Sequence, residues 1–367
     1  MKKITFPGRV GFYTEVRNRV DHYFEANRIS KNADWRMVLK TVVILVWLVA
    51  AYVLFLFSAS SLIWVIVSAI AIALGFAMVG FDIMHDGIHG SYSKKTRLNQ
   101  VMGFTLDLIG GSHMMWRHKH NILHHTYTNI NEFDDDIQVF GILRFSPEQP
   151  WRPCHRFQHL YAFPAYSLMT LLWVMRGDFQ KFFTGKIGDY NLPKPSVAET
   201  FLFFLAKIFY FGYMLVLPMF FHPILHALIF FLLLHAVLGF TIATVFQLAH
   251  IVEDNAFPRP DQDTGEIDNE WAIHQVETTA NFSPKSRLAA WHFGGLNFQI
   301  EHHLFPRICH IHYPAISKIV ERTCQEFRVT YVSYPTLREA VVAHYCFLRK
   351  LGRKDAGGMV GAPQAIG

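Results

Sequence analysis

Long apolar stretches alternate with polar regions that are unusually rich in histidine. Thr41–Ser58 and Leu62–Phe81 are almost free of charge. At 1.5 Å per residue, each is about long enough to cross a hydrocarbon core of roughly 30 Å. Only Ala59–Ser61 separates them, which predicts a tight helical hairpin. A second pair follows, Phe201–Phe221 and Ile224–Leu248, divided by His222-Pro223 where a helix cannot continue. Single runs of this kind also occur as buried cores of soluble proteins, but four in one chain point to membrane insertion. Phe163–Met175 is apolar too, yet at about 13 residues it is short for a crossing and reads as interfacial or re-entrant.

The pattern therefore predicts an all-α integral membrane protein with four transmembrane helices in two hairpins. Residues 1–40 form an N-terminal segment. A single membrane domain covers 41–353, with spans at about 41–58, 62–81, 201–221 and 224–248 and a cap built from 82–200 and 249–353. A flexible tail occupies 354–367. Two hairpins put the N-terminus, the 84–196 region and everything after His250 on one side. That side carries Lys2, Lys3, Arg9, Arg17, Arg19, Arg28, Lys31 and Arg36 before the first span, and Arg349, Lys350, Arg353 and Lys354 near the end. The positive-inside rule makes it cytoplasmic, and a bacterial inner membrane is preferred to the endoplasmic reticulum.

Composition agrees with this placement. Hydrophobic residues make up 51% of the 367 and charged ones only 17%, too few polar groups to cover a soluble globule. The formal charge is +6, but the basic residues flank apolar runs and form no stripe with interleaved aromatics, so nucleic acid is excluded as a partner. The four cysteines, at 154, 309, 324 and 346, make no C-x-x-C pair, which argues against a disulfide framework or a cysteine zinc site.

The count that changes the picture is 21 histidines. Three clusters fall on the predicted cytoplasmic side: His85-Asp86-Gly87-Ile88-His89, His120-Asn121-Ile122-Leu123-His124-His125 and Gln299-Ile300-Glu301-His302-His303. In an α-helix residues four apart share a face, so His85 with His89, and His120 with His124, can converge on one ion. His125 points about 100° away from His124, so the adjacent pair suits two metal ions better than one. Neutral imidazole binds iron, zinc, copper or nickel. One His-x-x-x-His is weak, because satisfied surface histidines are common. Three clusters on one membrane face are not.

These clusters resemble the three histidine boxes of the membrane fatty acid desaturase superfamily. The stretches HDGIHG from His85, KHNILHHTYTN from Lys119 and GGLNFQIEHHLFP from Gly294 are similar to the front-end and linoleoyl-CoA desaturase-like branch, in which Gln replaces the first histidine of box three, as Gln299 does here. The resemblance implies a centre of two iron ions that uses O2 as co-substrate to take two hydrogens from an alkyl chain. It implies His85, His89, His120, His124, His125, His302 and His303 as ligands, and His250, at the end of the fourth span, as one more. Where some relatives have an Asn, four residues before the fourth-span histidine, that helps hold a metal-bound water, this chain has Phe246. Gln299 can ligate, bind through water or stand behind the ligands. Asp86, Glu301 and His274 are candidates to orient ligating imidazoles, with the 134–136 aspartates, Glu253 and Asp254 as further acids.

The same resemblance implies a long-chain fatty acyl substrate carried on CoA, acyl carrier protein or a glycerolipid, and front-end insertion of a cis double bond. Trp116 and Tyr127 are expected along the acyl tunnel. No haem-binding His-Pro-Gly-Gly precedes Thr41, so a separate donor, ferredoxin or cytochrome b5, is expected to dock on Lys94, Lys95, Arg97, Arg117 and Lys119. His113, His118, His310 and His312 read as interfacial. Lys207 reads as snorkelling or as a sign that its helix starts later. Three other readings stay open: a hydroxylase of the same fold, an intramembrane zinc hydrolase using His85-Asp86-Gly87-Ile88-His89, and a haem or metal carrier using His226 and His235.

Overall fold

A computed structural model describes residues 4–8, 10–59, 61–139 and 141–356; Lys2, Lys3, Arg9 and most of the expected tail, 357–367, lie outside the described residues. Among those described, four helices are long and apolar enough to cross a membrane: Trp35–Phe57, Leu62–His89, Val197–Phe220 and Ile224–His250. Side chains such as Val49, Leu54, Ile63, Ile208 and Leu225 are exposed on their outer faces, as suits contact with lipid.

The first span starts at Trp35 rather than Thr41. Asp34 caps it, accepting the Arg36 backbone N–H at 2.8 Å. Lys40, just before the expected start, is buried and ion-paired with Asp82 of the second span. The second span runs on past Phe81: a π-helical stretch, Val79–Met84, leads directly into His85–His89. The first histidine cluster is therefore the inner end of a spanning helix.

In the third span Ser196 and Glu199 cap each other reciprocally, with Ser196 N–H donating to Glu199 at 2.8 Å. Lys207 neither snorkels nor marks a later start; it is buried, donating to Asp178 Oδ2 and to the Gly110 carbonyl, both at 2.6 Å. His235, inside the fourth span, meets Tyr210 Oη at 2.9 Å and Thr170 Oγ1 at 3.2 Å.

Ile72 and Phe76 of the second span pack with Phe230, Leu234 and Leu238 of the fourth in the main apolar core. The 163–175 stretch is broken into short helices, Gln158–Tyr166 and Met169–Leu172, whose backbone lies against Gly239. The cap has a second core. Phe12, Val16, Val20 and Phe24 of helix Phe12–Ala26 pack with Ile316 and Val320 of Tyr313–Phe327 and with Ile300 and Leu304 of the third histidine cluster. Glu270 fastens the same helix by accepting the N–H groups of Val10 and Tyr13 at 3.0 and 2.7 Å. Much of the N-terminal segment is thus built into the cap. Two short sheets qualify the all-α expectation: an antiparallel pair, Lys186–Ile187 with Tyr190–Asn191, and a parallel pair, Ala280–Phe282 with Val332–Tyr334.

Two close approaches set the cap on the spans. A Cβ at Gly87 would lie 2.6 Å from the Gly103 nitrogen, so box one can press against helix Thr96–Leu108 only with glycine there. Gly294, at φ +59°, lies so near Phe81 that any Cβ would overlap its carbonyl oxygen.

Candidate metal centre

The three clusters, more than two hundred positions apart in the chain, meet in one buried pocket. The C-terminal end of the second span supplies His85 and His89, and that of the fourth supplies His250. Between them lie His118–His124, wound as a π-helix, and the short helix Gln299–Leu304. All eight histidines are buried. Their ring nitrogens gather in overlapping groups: His85, His89, His120 and His302; His124, His250 and His303; and His125 with His302 and His303.

His85 and His89 share one group as α-helical spacing predicts, and His120 and His124 meet beside Asp136, but each of the latter two also reaches a different set. His120 joins box one and His302, while His124 turns to His250 and His303. The cause is the π turn, whose repeat brings residues five apart together. His120 and His125 accordingly stand Nε2 to Nε2 at 3.2 Å, and His85 Nε2 lies 3.2 Å from the same atom of His120.

The pocket fits metal ions on its own geometry. Nε2 of His89, His124, His302 and His303 are all buried without a hydrogen-bond partner, an expensive arrangement for polar atoms unless an ion binds them. Burial holds His120, His125, His302 and His303 well below the usual imidazole range, keeping them as neutral donors. His124 departs from this. Burial opposes its charge, but the Asp134 carboxylate, aided by Asp136, outweighs that and raises it.

The outer contacts divide the sequence candidates. Asp134 reaches a box histidine, its carboxylate oxygens lying 3.0 and 3.2 Å from His124 Nδ1. Gln299 places its amide nitrogen 2.9 Å from His250 Nε2, and its Oε1 is buried without a partner. Asp86 turns away from the imidazoles to Cys309 and His310. Glu301 also points outward, accepting from Asn281 at 2.8 Å and Tyr331 at 2.9 Å, and burial raises it to about 7. His274 packs on Phe6, and burial lowers it to about 3; its neighbour Gln275 is the side chain at His303, 2.9 Å from Nδ1. Glu253 pairs with Lys350, and Asp254 accepts from Tyr334.

Sequence reasoning missed Gln275, Thr128 and Tyr313, of which Tyr313 Oη lies 3.3 Å from His302 Nδ1. No spacing signal marks them; adjacency of Gln275 to His274 was the nearest hint. Trp116 stacks on His120 at 4.0 Å between centroids, and Phe246 stands 4.7 Å from His250 and 5.0 Å from His124. Tyr127 packs instead on Phe133, in a separate cluster with Ile4, Ile130 and Ile267. Lys94, Lys95, Arg97 and Arg117 are exposed. Lys119 is turned inward, 2.6 Å from Asp136, so its charge is not free for a partner. Nor are His310 and His312 interfacial, since both are buried.

The sequence model for "Fatty acid desaturase" matches residues 61–335. The chain belongs to the fatty acid desaturase family. It is similar to the acyl-lipid (8-3)-desaturase of Physcomitrium patens, 42% identical over 93% of this chain and 72% of that protein. It is also similar to the sn-1 linoleoyl-lipid 6-desaturase of Synechocystis sp., 36% identical over 96% and 98%, and to that of Arthrospira platensis, 38% identical over 95% of each. As a fatty acid desaturase the protein is an oxidoreductase and an integral membrane enzyme.

Proposed function

We propose that this desaturase holds two iron ions in the histidine pocket and inserts a cis double bond into the acyl chain of a glycerolipid, between an existing double bond and the carboxyl end. The observation that carries the reading is the set of four buried, unpartnered Nε2 atoms, two in each of two histidine groups that a third, His125 with His302 and His303, links. One position is formed by His85, His89, His120 and His302, the other by His124, His250 and His303, with His125 between them and Gln299 beside His250. The lipid-linked, front-end substrate is supported by the names of the similar enzymes, acyl-lipid (8-3)- and sn-1 linoleoyl-lipid 6-desaturases.

When bound, the iron pair supplies the O2-derived oxidant that removes two hydrogens, O2 being reduced to two waters with two electrons and two protons from outside. The protein's own part is positioning. Asp134 holds His124, and Gln275 with Thr128 holds His303, in fixed ring orientations. Trp116 and Phe246 place apolar rings against the imidazoles, limiting water beside the reacting carbon. Four exposed cations, Lys94, Lys95, Arg97 and Arg117, offer an acidic one-electron carrier (a ferredoxin or cytochrome b5) a docking face. The cap faces the cytoplasm in this reading, where such a donor resides.

The test is expression in a host without polyunsaturated lipids, with fed 18-carbon substrates and profiling of each lipid class. A new front-end double bond in glycerolipid, lost on His124→Ala with membrane insertion intact, is expected. A hydroxylated product without a new double bond, or one zinc and no oxygen dependence, would overturn the assignment.

A further inference from the structure

A second polar cluster lies behind box one, and the desaturation chemistry makes no direct use of it. Asp86, the residue after His85, is buried, and one of its oxygens, Oδ2, accepts from two neighbours in the loop that follows box three: Cys309 Sγ at 2.9 Å and His310 Nδ1 at 2.9 Å. The other ring nitrogen of His310 lies 3.0 Å from the Lys40 ammonium of the first span, and Lys40 is in turn ion-paired with Asp82. A few residues on, Tyr313 places its hydroxyl 3.3 Å from His302 Nδ1. One short segment, 309–313, thus grips the box-one helix through Asp86 and the box-three helix through His302. Those two helices furnish His85, His89 and His302, whose nitrogens must sit within a fixed distance to share an ion with His120.

Asp86, Cys309 and His310 could by spacing alone hold a cation of their own. Their surroundings oppose it. The Lys40 charge stands 3.0 Å from the imidazole that would ligate, and both the thiol and the ring already donate to a single carboxylate oxygen.

We infer that Cys309, His310 and Tyr313 form a bracket that fixes box one against box three, and that His310 is a positioning residue for the metal held by His85, His89, His120 and His302 alone. The inference rests on the two-iron reading above. His310→Gln preserves a donor for Asp86 and an acceptor for Lys40, whereas His310→Leu removes both. Tyr313→Phe deletes one hydroxyl.

The experiment measures iron per chain and iron release to a competing chelator on holoenzyme purified in nanodiscs. Wild type is expected to hold two irons. His310→Leu should weaken one of them by roughly 10–100-fold and leave the other unchanged. Tyr313→Phe should weaken the same one less, and His310→Gln should restore it. Added to His85→Ala, His310→Leu should cost no further iron; added to His250→Ala, it should empty the protein. Loss of both irons together, or of neither, would overturn the bracket, as would a third bound metal that disappears in Cys309→Ser. If His310→Leu fails to fold, Tyr313→Phe alone decides, since no change in either iron would refute the role. A wild type that binds no iron would instead sink the two-iron reading.

Discussion

The two halves of the histidine pocket use the same ligand chemistry but are held in different ways. In the half formed by His124, His250 and His303, support is direct: Asp134 touches His124, and Gln275 touches His303. In the half formed by His85, His89, His120 and His302, the buried carboxylate of Asp86 touches no imidazole of the boxes and meets His310 and Cys309 instead, while Tyr313 places a neutral hydroxyl 3.3 Å from His302 Nδ1. Each half takes one ligand from the π-helix His118–His124, one from Gln299–Leu304 and the rest from the end of a spanning helix, so the halves differ not in what carries the ligands but in what touches them from outside. The difference teaches that neighbours on one short helix can be steadied by different means, since adjacent residues point about 100° apart.

The largest break in this comparison is His303→Ala. His303 closes the group formed with His124 and His250, so desaturation should fall below detection and the iron of that half should be lost, as read by fatty-acid profiling and metal analysis. Asp134→Asn keeps the shape but removes the charge at His124. Chelator competition should show one iron weakened by roughly 10–100-fold and the other unchanged. Gln275→Ala should act on the same half by about 10-fold, the low end of that range, because a neutral amide is lost rather than a carboxylate.

A smaller effect concerns pH. In metal-free protein His120, His125, His302 and His303 sit below their unfolded value of 6.5, so the unfolded chain binds more protons as the pH falls. Their stabilisation is present above that value and is lost below it. His124, raised above 6.5, has the opposite sign: its contribution is complete below 6.5 and disappears as the pH rises through its folded value. The melting temperature of chelator-treated protein should therefore drop from about pH 7.5 to about pH 5.5, and drop more steeply in Asp134→Asn. Smallest of all is His274→Phe, expected to change metal affinity by less than about twofold, since that ring contacts Phe6 and no box histidine.

Much of this was legible beforehand, and the exceptions share a cause. Apolar run length found all four long apolar helices, the largest differences lying at the end of the second, which runs on through box one, and at the start of the first, where Lys40 has a buried partner in another helix. Lys207 misled for the same reason, its partner Asp178 lying in a separate helix. The histidine spacing identified the ligand candidates and paired His120 with His124, which do meet beside Asp136, but it did not reveal that His120 also meets His125 and His85. An α turn and a π turn differ by one residue in where they bring side chains together, and histidine spacing alone does not say which will form.

Local chain chemistry was enough to determine that this protein inserts four helices into a bilayer and gathers histidines on one side of it, because hydropathy and residue type act over a few turns. Tertiary structure alone decided which of those histidines meet and what touches them: Asp134 at His124, Gln275 at His303, and the 309–313 segment at Asp86 and His302. Such contacts join atoms up to more than two hundred residues apart, and their energy exists only once packing has brought both partners out of water.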